Sequence, residues 1–332
     1  MRHRQRSTHP FGKNVLALLV AGGAIGIAQL DVNPFRDRGS RVNRSTAMAS
    51  SINMTPTTPA LPIGSGQQSS ETPAGEHRDH SLARPQREDD TAILRGIWAV
   101  KMAAALLEKG CDSFSRVSDY TANMLKQERI GGALGECQLI EMKIKHAPFS
   151  VYMKWREGDR GRQLIYVDGQ NDGNMLVQPG GIKGRMTGVL SLEPTGSLAM
   201  SESRYPITKA GLLELARTVL SYQQKDLEAG KGFQCQLFDF QEFEGRPCYL
   251  YVMEYDSPES NKVYRKSMVY IDKELSLPIC VKNYTWGKDV DPANIEEETL
   301  IEFYAYTDLK FDQQLTDADF DKNNSSYRLR VR

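Results

Sequence analysis

The stretch CYLYVMEY, Cys248–Tyr255, decides the fold. Side chains on a β-strand point alternately to its two faces, so one face of this stretch is mainly aromatic while Leu250 and Val252 lie on the other. Both faces are therefore apolar. Such a strand belongs to a sheet that is covered on both faces, or that lines a cavity with one of them. The aromatic face carries Tyr249, Tyr251, Met253 and Tyr255.

Strand-like segments surround this stretch on both sides, and short turns such as FEGRP at 243–247 connect them. Short connections join antiparallel neighbours, because parallel strands require long crossovers. An antiparallel sheet is therefore predicted for the C-terminal half of the chain. Its strands are predicted at Phe233–Phe243, Cys248–Tyr255, Val263–Ile271, Ile279–Trp286 and Thr299–Tyr306.

A hairpin and further strands precede this region. Gly131 and Gly132 form a two-residue turn, since both positions accept a positive φ, between strands predicted at Asp119–Ile130 and Ala133–Ala147. The alternation continues in shorter segments, and the whole pattern predicts one large antiparallel sheet. These segments are Phe149–Arg156, Gln163–Val167 and Asn174–Gln178.

Two helices accompany the predicted strands. Apolar residues at steps of three and four predict one helix that begins near Ile93 and ends at Gly110. A second helix is predicted to be capped by Thr208 and to end before Gly230. The glycine-rich segment 180–185, GGIKGR, lacks the pattern of a phosphate-binding loop and is predicted to be a flexible loop. The fold class is therefore α+β.

The charge balance restricts the class of protein. The chain has 332 residues with 42 basic and 42 acidic side chains, so its formal net charge is zero. A dedicated nucleic-acid binder needs an excess of basic groups to displace the counterions of phosphates, so no nucleic-acid partner is predicted. Beyond the first thirty residues no apolar run reaches about twenty residues, which excludes a protein with several membrane spans.

Residues 1–30 are predicted to be a secretory signal peptide or an uncleaved N-terminal membrane anchor. Basic residues from Arg2 to Lys13 precede the apolar run VLALLVAGGAIGIA at 15–28, which is typical of export signals. The protein is therefore predicted to be exported to the periplasm or cell envelope. Membrane contact is predicted only through residues 15–30, and only where the signal is not cleaved.

The remainder of the chain divides at about residue 90. Residues 31–90 are rich in Ser, Thr, Pro and Gly and have too few large apolar side chains to offset the entropy of an ordered backbone. This segment is predicted to be a disordered tether. Residues 91–332 are predicted to form a single α+β domain.

The five cysteines contain no C-x-x-C pair, which argues against a zinc ribbon or a thioredoxin-type redox site. A turn centred on Gly245 pairs Cys248 with a residue near position 241, so Cys248 and Cys235 would not face each other. The cysteines are predicted to be mostly free and buried.

No catalytic residue, metal site or cofactor is predicted. His146 is the only histidine of the folded region, and no other base is placed to activate a serine or cysteine nucleophile. The acidic segment DGQNDG at 168–173 lacks the ligand spacing of an EF-hand and is typical of a tight turn. An enzyme is not excluded, but no motif supports one.

Four segments resemble a bacterial exported family known as domain of unknown function 1571, and together they span most of residues 115–328. The ending LTDADFDKNNSSY at 315–327 also resembles the tail of LolA/LolB-like lipoprotein carriers, although Asn324-Ser325 stands where such tails often read Asn-Pro. The second resemblance implies a curved antiparallel sheet, an incomplete barrel, with helices that plug an apolar cavity. The four segments are Tyr166–Gly181, Ser203–Leu215, Leu275–Trp286 and Glu302–Leu329.

Three hypotheses for the function follow. The first is a binder or carrier of an apolar ligand, such as an acyl chain, a lipid or a lipidated protein partner. The second is a structural or protein-interaction module of the envelope, and the third, less favoured, is an envelope hydrolase. The first hypothesis is motivated by the export signal, the strands that are apolar on both faces and the carrier-like tail.

The aromatic face is predicted to line the ligand cavity, because methionine and aromatic side chains adapt to acyl chains of varied shape. The opposite face is predicted to be the packed core under the helices. The predicted ligand-binding residues are Tyr249, Tyr251, Met253, Tyr264, Met268, Tyr270, Tyr284, Trp286 and Tyr304. The predicted core face carries Leu250, Val252, Val263, Val269, Ile271, Ile279, Val281, Ile301 and Phe303.

Overall fold

One antiparallel sheet dominates the computed structural model, which describes residues 92–288, 290–327 and 329. Thirteen strands of this part of the chain join the sheet, and it is not closed into a barrel. The predicted α+β class, a large antiparallel sheet with helices, is confirmed. The strands are β1 (Ala92–Arg95), β2 (Asp119–Ile130), β3 (Ala133–Leu134), β4 (Gln138–His146), β5 (Phe149–Glu157), β6 (Gln163–Val167), β7 (Met175–Gln178), β8 (Leu190–Leu192), β9 (Phe233–Phe243), β10 (Arg246–Tyr255), β11 (Lys266–Asp272), β12 (Pro278–Tyr284) and β13 (Leu300–Phe311).

Two long helices and three short ones complete the described fold. The long helices α1 and α4 pack against each other, and α1 also contacts β9. Single 3-10 turns lie at Asn171–Gly173, Ile207–Lys209 and Asp317–Phe320. The helices are α1 (Gly96–Phe114), α2 (Gly181–Thr187), α3 (Ser197–Met200), α4 (Leu212–Ala229) and α5 (Ile295–Thr299).

The strand order places β1 and β8 at the two edges of the sheet. From one edge to the other the order is β1-β9-β10-β11-β12-β13-β2-β4-β5-β6-β7-β8, with β3 paired only to β2. Most neighbours in the sheet are also neighbours in the chain, as short connections require. The exceptions are the contacts of β1 with β9 and of β13 with β2, which join the two halves of the chain, and that of β2 with β4, which β3 separates in the chain.

Several local predictions are confirmed by the register. Gly131 and Gly132 both have a positive φ, 60° and 87°, at the turn that follows β2. Cys248 pairs with Gln241 across the β9–β10 hairpin, and the five cysteines are free. Burial raises the pKa of the Cys235 thiol to about 12, so at neutral pH it is a packing residue and not a reactive thiolate.

The C-terminal segment covers part of the outer face of the sheet. The ring of Tyr327 stacks on that of Tyr152 of β5, with the ring centroids 3.9 Å apart. Phe320 is buried in the same small cluster with Ile165 and Leu176. The segment that contains Phe320 and Tyr327 therefore covers β5, β6 and β7 on this face.

Helix α1 does not end at Gly110 as predicted, but continues to Phe114. A side chain at position 110 would bring its Cβ within 2.0 Å of the carbonyl oxygen of Ser276, in the turn between β11 and β12. Gly110 therefore permits a close approach of helix and turn. A glycine that serves packing looks in the sequence like a glycine that ends a helix.

Helix α4 begins at Leu212, after Gly211, and not at the predicted cap Thr208. The first N–H groups of a helix have no partner within the helix. Here two buried tyrosines of the sheet supply partners, because the Tyr120 hydroxyl accepts the N–H of Leu212 at 2.9 Å and the Tyr306 hydroxyl that of Gly211 at 3.2 Å. Gly211 has φ 98°, which favours glycine. These contacts fix the start of α4 on the sheet.

Two other predicted boundaries are wrong. Residues 181–187 form the helix α2 and not a loop, and Gly184 lets this helix pass Pro179, whose carbonyl oxygen would lie 1.7 Å from an added Cβ. The strand predicted from Val263 begins at Lys266 instead. The Asn261 side chain accepts the N–H groups of Val263 and Tyr264, which keeps these residues out of the sheet.

The predicted signal or anchor at 1–30 and the predicted tether at 31–90 lie outside the described residues. Among the helices that the structure describes, none combines the length and the apolar character needed to cross a bilayer. The predicted division of the chain at residue 90 stays a prediction.

Candidate ligand-binding cavity

A cavity of about 170 Å³ lies between the inner face of the sheet and helix α4, with the segment 194–210 along one side. This is roughly ten times the space that one water molecule needs. Strands β10 and β7 both line the cavity although eight steps separate them in the sheet order. In a flat sheet they would lie about 38 Å apart, so the sheet curves around the cavity.

The wall of the cavity is mainly apolar, and four of its residues are methionines. Methionine side chains are flexible and polarizable, so they adapt to apolar groups of irregular shape. The strands supply most of this wall, and α4 closes it with Leu215 and Val219. The other apolar wall residues include Met124, Ile140, Met153, Leu164, Met175, Ile207, Met253 and Val281.

A row of polar residues crosses this apolar face. Ser267, Asn283, Glu302 and Glu128 lie on four adjacent strands, β11, β12, β13 and β2, and each is the register partner of the next. All four line the cavity. The Ser267 hydroxyl donates to the Asn283 side chain at 2.6 Å, and the Asn283 amide donates to Glu302 at 2.6 Å. Direct hydrogen bonds therefore join the first three residues of the row, and Arg204 connects the carboxylates of Glu302 and Glu128, because it donates to both.

Glu302 is the centre of this row and is only 1% exposed. Its carboxylate accepts hydrogen bonds from the Arg204 guanidinium at 2.6 Å, from the Tyr264 hydroxyl at 2.9 Å and from the Tyr205 hydroxyl at 3.2 Å. Burial alone would lower the pKa of Arg204, but the attraction of the Glu302 carboxylate prevails and raises it. A buried charge requires such partners, because an unpaired one is very costly.

Glu128 forms the second buried ion pair of the row. Its carboxylate lies 3.1 Å from the ammonium of Lys126, and it also accepts the hydroxyl of Tyr304 and the backbone N–H of Arg204. Burial lowers the pKa of Lys126, although Glu128 opposes this. The two acids of the row are balanced by the two bases that pair with them, Arg204 and Lys126, so these four groups offer no net charge to a ligand.

A second set of polar side chains lies where α4 faces β10, and fewer of its hydrogen-bonding atoms have partners. Asp226 accepts the hydroxyl of Tyr255 at 3.0 Å, and no Lys or Arg of the described residues forms an ion pair with it. Gln223, one turn earlier on the same helix, is 1% exposed and neither its amide nitrogen nor its carbonyl oxygen has a partner there. The buried Tyr251 hydroxyl has only the weakly hydrogen-bonding thiol of Cys235 beside it. The cavity is lined by Asp226, Tyr255, Gln223 and Tyr251.

The Asp226 carboxylate should make stability depend on pH. Burial raises its pKa from 3.8 to about 6, although the hydrogen bond from Tyr255 and the nearby Lys225 oppose the shift. The folded chain then binds this proton more tightly than the unfolded chain, so the free energy of unfolding falls as the pH rises from about 4 to 6.

We expect Asp226→Asn to remove this fall, because the amide does not titrate and still accepts the Tyr255 hydroxyl. The difference in unfolding free energy between the variant and the parent should grow by up to about 3 kcal/mol from pH 4 to pH 7.5. Urea denaturation of both proteins at several pH values measures it. A difference that does not change with pH contradicts the assignment.

The structure brings four of the nine predicted ligand-binding residues to the cavity and places five elsewhere. The four that line it are Tyr251, Met253, Tyr264 and Tyr304. Tyr249 packs under Lys273, whose ammonium lies 4.8 Å from the ring centroid. The Trp286 indole donates to the Asn261 carbonyl at 2.7 Å, beyond the end of β12. The other residues that do not line the cavity are Met268, Tyr270 and Tyr284.

The register explains why the predicted face is divided. Tyr251 pairs with Val269 and not with Met268, which pairs with Val252. Residues paired across two strands lie on the same face, so Met268 and Tyr270 occupy the outer face of the sheet. The prediction that these two share a face with Tyr251 was therefore wrong. Conversely, Val269, Ile271 and Val281 of the predicted core face lie on the inner face.

The same outer face contains Tyr284, which pairs with Lys266. The sequence shows the period of each strand, but it does not show how neighbouring strands align. The turn between β10 and β11 spans residues 256–265, and its length is not that of a tight hairpin. One residue of difference in this turn exchanges the two faces of β11 relative to β10.

The sequence did contain a signal for the polar groups that were missed. Asn283, Glu302 and Glu128 each interrupt an apolar alternation at an inward position of its strand. A lone polar residue on a buried face needs a partner, and three such residues on adjacent strands indicate a network. Arg204 carries no such signal, because it lies in an irregular segment.

Within the ranges that the structure describes, no three His, Cys, Asp or Glu side chains could hold a metal ion. His146 lies at the end of β4, and its Nδ1 is 2.6 Å from the carbonyl oxygen of Val117. Burial lowers the pKa of this imidazole. It packs against Phe114 and does not line the cavity.

Comparisons with solved structures find several similar chains, all at low identity and with low TM-scores. The chain is similar to lipoprotein LppX of Mycobacterium tuberculosis, with 12% identity, a TM-score of 0.38 and coverage of 67% of this chain and 99% of that one. It is also similar to a putative outer membrane lipoprotein-sorting protein domain from Vibrio parahaemolyticus, with 13% identity, a TM-score of 0.30 and coverage of 69% and 97%. A LolA superfamily protein from Nitrosomonas europaea shows 11% identity, a TM-score of 0.26 and coverage of 67% and 98%.

No curated protein matches the chain significantly. A family model described as "Protein of unknown function (DUF1571)" matches residues 117–329. This range contains all four segments on which the predicted resemblance was based, and it includes most of the strands and all of α4 that surround the cavity. The chain therefore belongs to the DUF1571 family.

Proposed function

We propose that this protein is an exported binder or carrier of an apolar ligand, namely an acyl chain, a lipid or a lipidated protein partner. The observation that carries the proposal is the cavity between the sheet and α4. An apolar cavity is a costly feature, since empty space in a protein interior forfeits the contacts that a packed core would make. A ligand that fills it would restore those contacts.

The composition of the wall supports a flexible apolar ligand such as an acyl chain. Four methionines and several branched aliphatic residues surround the cavity, and these side chains can follow the contour of a flexible hydrocarbon. The polar row on β11, β12, β13 and β2 satisfies its own charges and hydrogen bonds. A hydrocarbon beside it would therefore leave no charge of the row unpaired.

The order of charge and apolar residues at the N-terminus supports export to the periplasm or cell envelope. A soluble binding domain joined to an export signal fits a protein that takes an apolar molecule through water. The lid of such a carrier would be α4 together with the segment 194–210, since these parts separate the cavity from solvent.

Solvent extraction of the purified full chain tests the proposal. We expect mass spectrometry of the extract to detect an acyl-chain lipid in stoichiometric amount with the protein, and an unrelated exported protein purified in the same way to carry none. An extract without lipid, together with capture of one defined protein partner, would instead support the protein-interaction module.

A further inference from the structure

The polar group on α4 and β10 has hydrogen-bonding capacity that the described protein does not use. The amide nitrogen and the carbonyl oxygen of Gln223 are buried, lack partners in the described chain, and border the cavity. The hydroxyl of Tyr251 borders it too, and its hydrogen-bonding neighbour among the described side chains is the thiol of Cys235, a weak hydrogen-bonding group. Buried polar groups are nearly always hydrogen-bonded, and each one left unpaired costs about 1–3 kcal/mol. These side chains therefore need a polar group of a ligand as their hydrogen-bonding partner in this part of the cavity.

The geometry restricts the chemistry of this occupant. Gln223 offers a donor and an acceptor together, so its complement is a group that both accepts and donates, such as an amide or a hydroxyl. Asp226 lies on the same face of α4, one turn later, and its carboxylate has only the hydroxyl of Tyr255 as a side-chain donor. A carboxylate on the ligand would face Asp226, and the nearby Lys225 is exposed and does not line the cavity.

The charge states of the groups around Asp226 restrict the polar end of the ligand further. Tyr251 and Tyr255 of β10 face Asp226 and are uncharged, because burial raises the pKa of both hydroxyls. The thiol of Cys235 on β9 is also neutral, since burial raises its pKa to about 12. Lys225 is exposed, outside the cavity lining. Asp226 is therefore the one unbalanced charge of this group.

We propose that Gln223, Asp226, Tyr251 and Tyr255 form the subsite for the polar end of the ligand, and that this subsite takes an uncharged amide or hydroxyl and rejects a carboxylate. The inference rests on the proposed function, because it assigns the polar end of a ligand whose hydrocarbon occupies the rest of the cavity. The expected ligand is therefore an acyl amide or a long-chain alcohol and not a free fatty acid.

Competition against the fluorescent apolar probe N-phenyl-1-naphthylamine tests the inference. The full chain is titrated at pH 8, where Asp226 is ionised, with dodecanamide, dodecan-1-ol and dodecanoate, which share one hydrocarbon length. We expect the amide and the alcohol to displace the probe at roughly tenfold lower concentration than the carboxylate, which is the effect of one buried hydrogen bond. Equal competition by all three overturns the inference.

Two variants and a control test whether Gln223 and Asp226 cause the preference for the amide and the alcohol over the carboxylate. Gln223→Leu should abolish the advantage of dodecanamide over dodecanoate while the probe still binds, and Asp226→Asn should improve binding of dodecanoate. The control is Ser221→Val, since Ser221 is exposed on α4, does not line the cavity, and its hydroxyl already donates to the Thr218 carbonyl at 2.7 Å. This variant should keep the preference of the parent.

The outcomes separate the two proposals. Saturable binding of the probe with no selectivity for the polar end, or selectivity that Gln223→Leu leaves intact, overturns the subsite but not the binding of apolar ligands. Absence of any probe binding by the parent contradicts the proposed function itself, and the subsite falls with it.

Discussion

Replacement of Glu302 by leucine is expected to destabilise the fold by about 3–5 kcal/mol, the usual cost of removing one partner of a buried ion pair. Leucine has a similar size, so the loss comes from the Arg204 guanidinium, which is left as an unpaired charge, and from the hydroxyls of Tyr264 and Tyr205, which lose this acceptor. Urea denaturation followed by far-UV circular dichroism measures the loss.

The double variant Arg204→Met/Glu302→Leu tests whether the loss of stability comes from the unpaired charge. It should cost at least about 1 kcal/mol less than the sum of the two single variants, because no charge is then left unpaired. Glu141→Leu is the control, since Glu141 forms an ion pair with Arg156 that is nearly half exposed on both sides, and it should cost under about 1 kcal/mol. Additive single and double effects at Glu302 contradict the role of the buried network.

The sequence predicts the class of the fold because alternation within a strand depends only on local residues. The strand CYLYVMEY, the turn at Gly131-Gly132 and the pairing of Cys248 with a residue near position 241 were all predicted in this way, and the register agrees with them. Helix ends were less accurate. Gly110 and Gly211 are needed for close contacts with distant parts of the chain, namely Ser276 and Tyr120, and the local sequence does not reveal those contacts.

The candidate site was predicted only in part, for a related reason. Tyr251 and Met253 were placed on the inner face from their own strand, but Met268 was assigned to that face through an alignment of β10 with β11 that the 256–265 turn does not fix. The polar side of the cavity depends on Arg204, which comes from a segment without secondary structure. Contacts of this kind arise from tertiary packing, which the period of a strand does not encode.

Replacement of Val219 by tryptophan is expected to weaken binding of an apolar probe by about tenfold or more, because the indole would occupy the space between α4 and the sheet. Val219 lines the cavity from the middle of the helix, where a larger side chain can extend into the empty space. Stability should change little in comparison, since the indole fills a cavity and does not displace packed atoms.

Ser221→Trp is the matched control for this variant. Ser221 lies two residues later on α4 and is exposed, so the same indole would point to solvent. The control should bind the probe as the parent does. Equal loss in both variants would mean that tryptophan disturbs the helix, and equal binding in both would place the ligand outside the cavity.

The fluorescence titration of the full chain with N-phenyl-1-naphthylamine tests the binding of an apolar ligand in this cavity most directly. We expect a saturable rise in fluorescence with one site per chain, competition by dodecan-1-ol, and a strong loss in Val219→Trp that Ser221→Trp does not share. A fluorescence rise that does not saturate, or saturable binding that both variants retain in full, would contradict the assignment of the cavity as the ligand site.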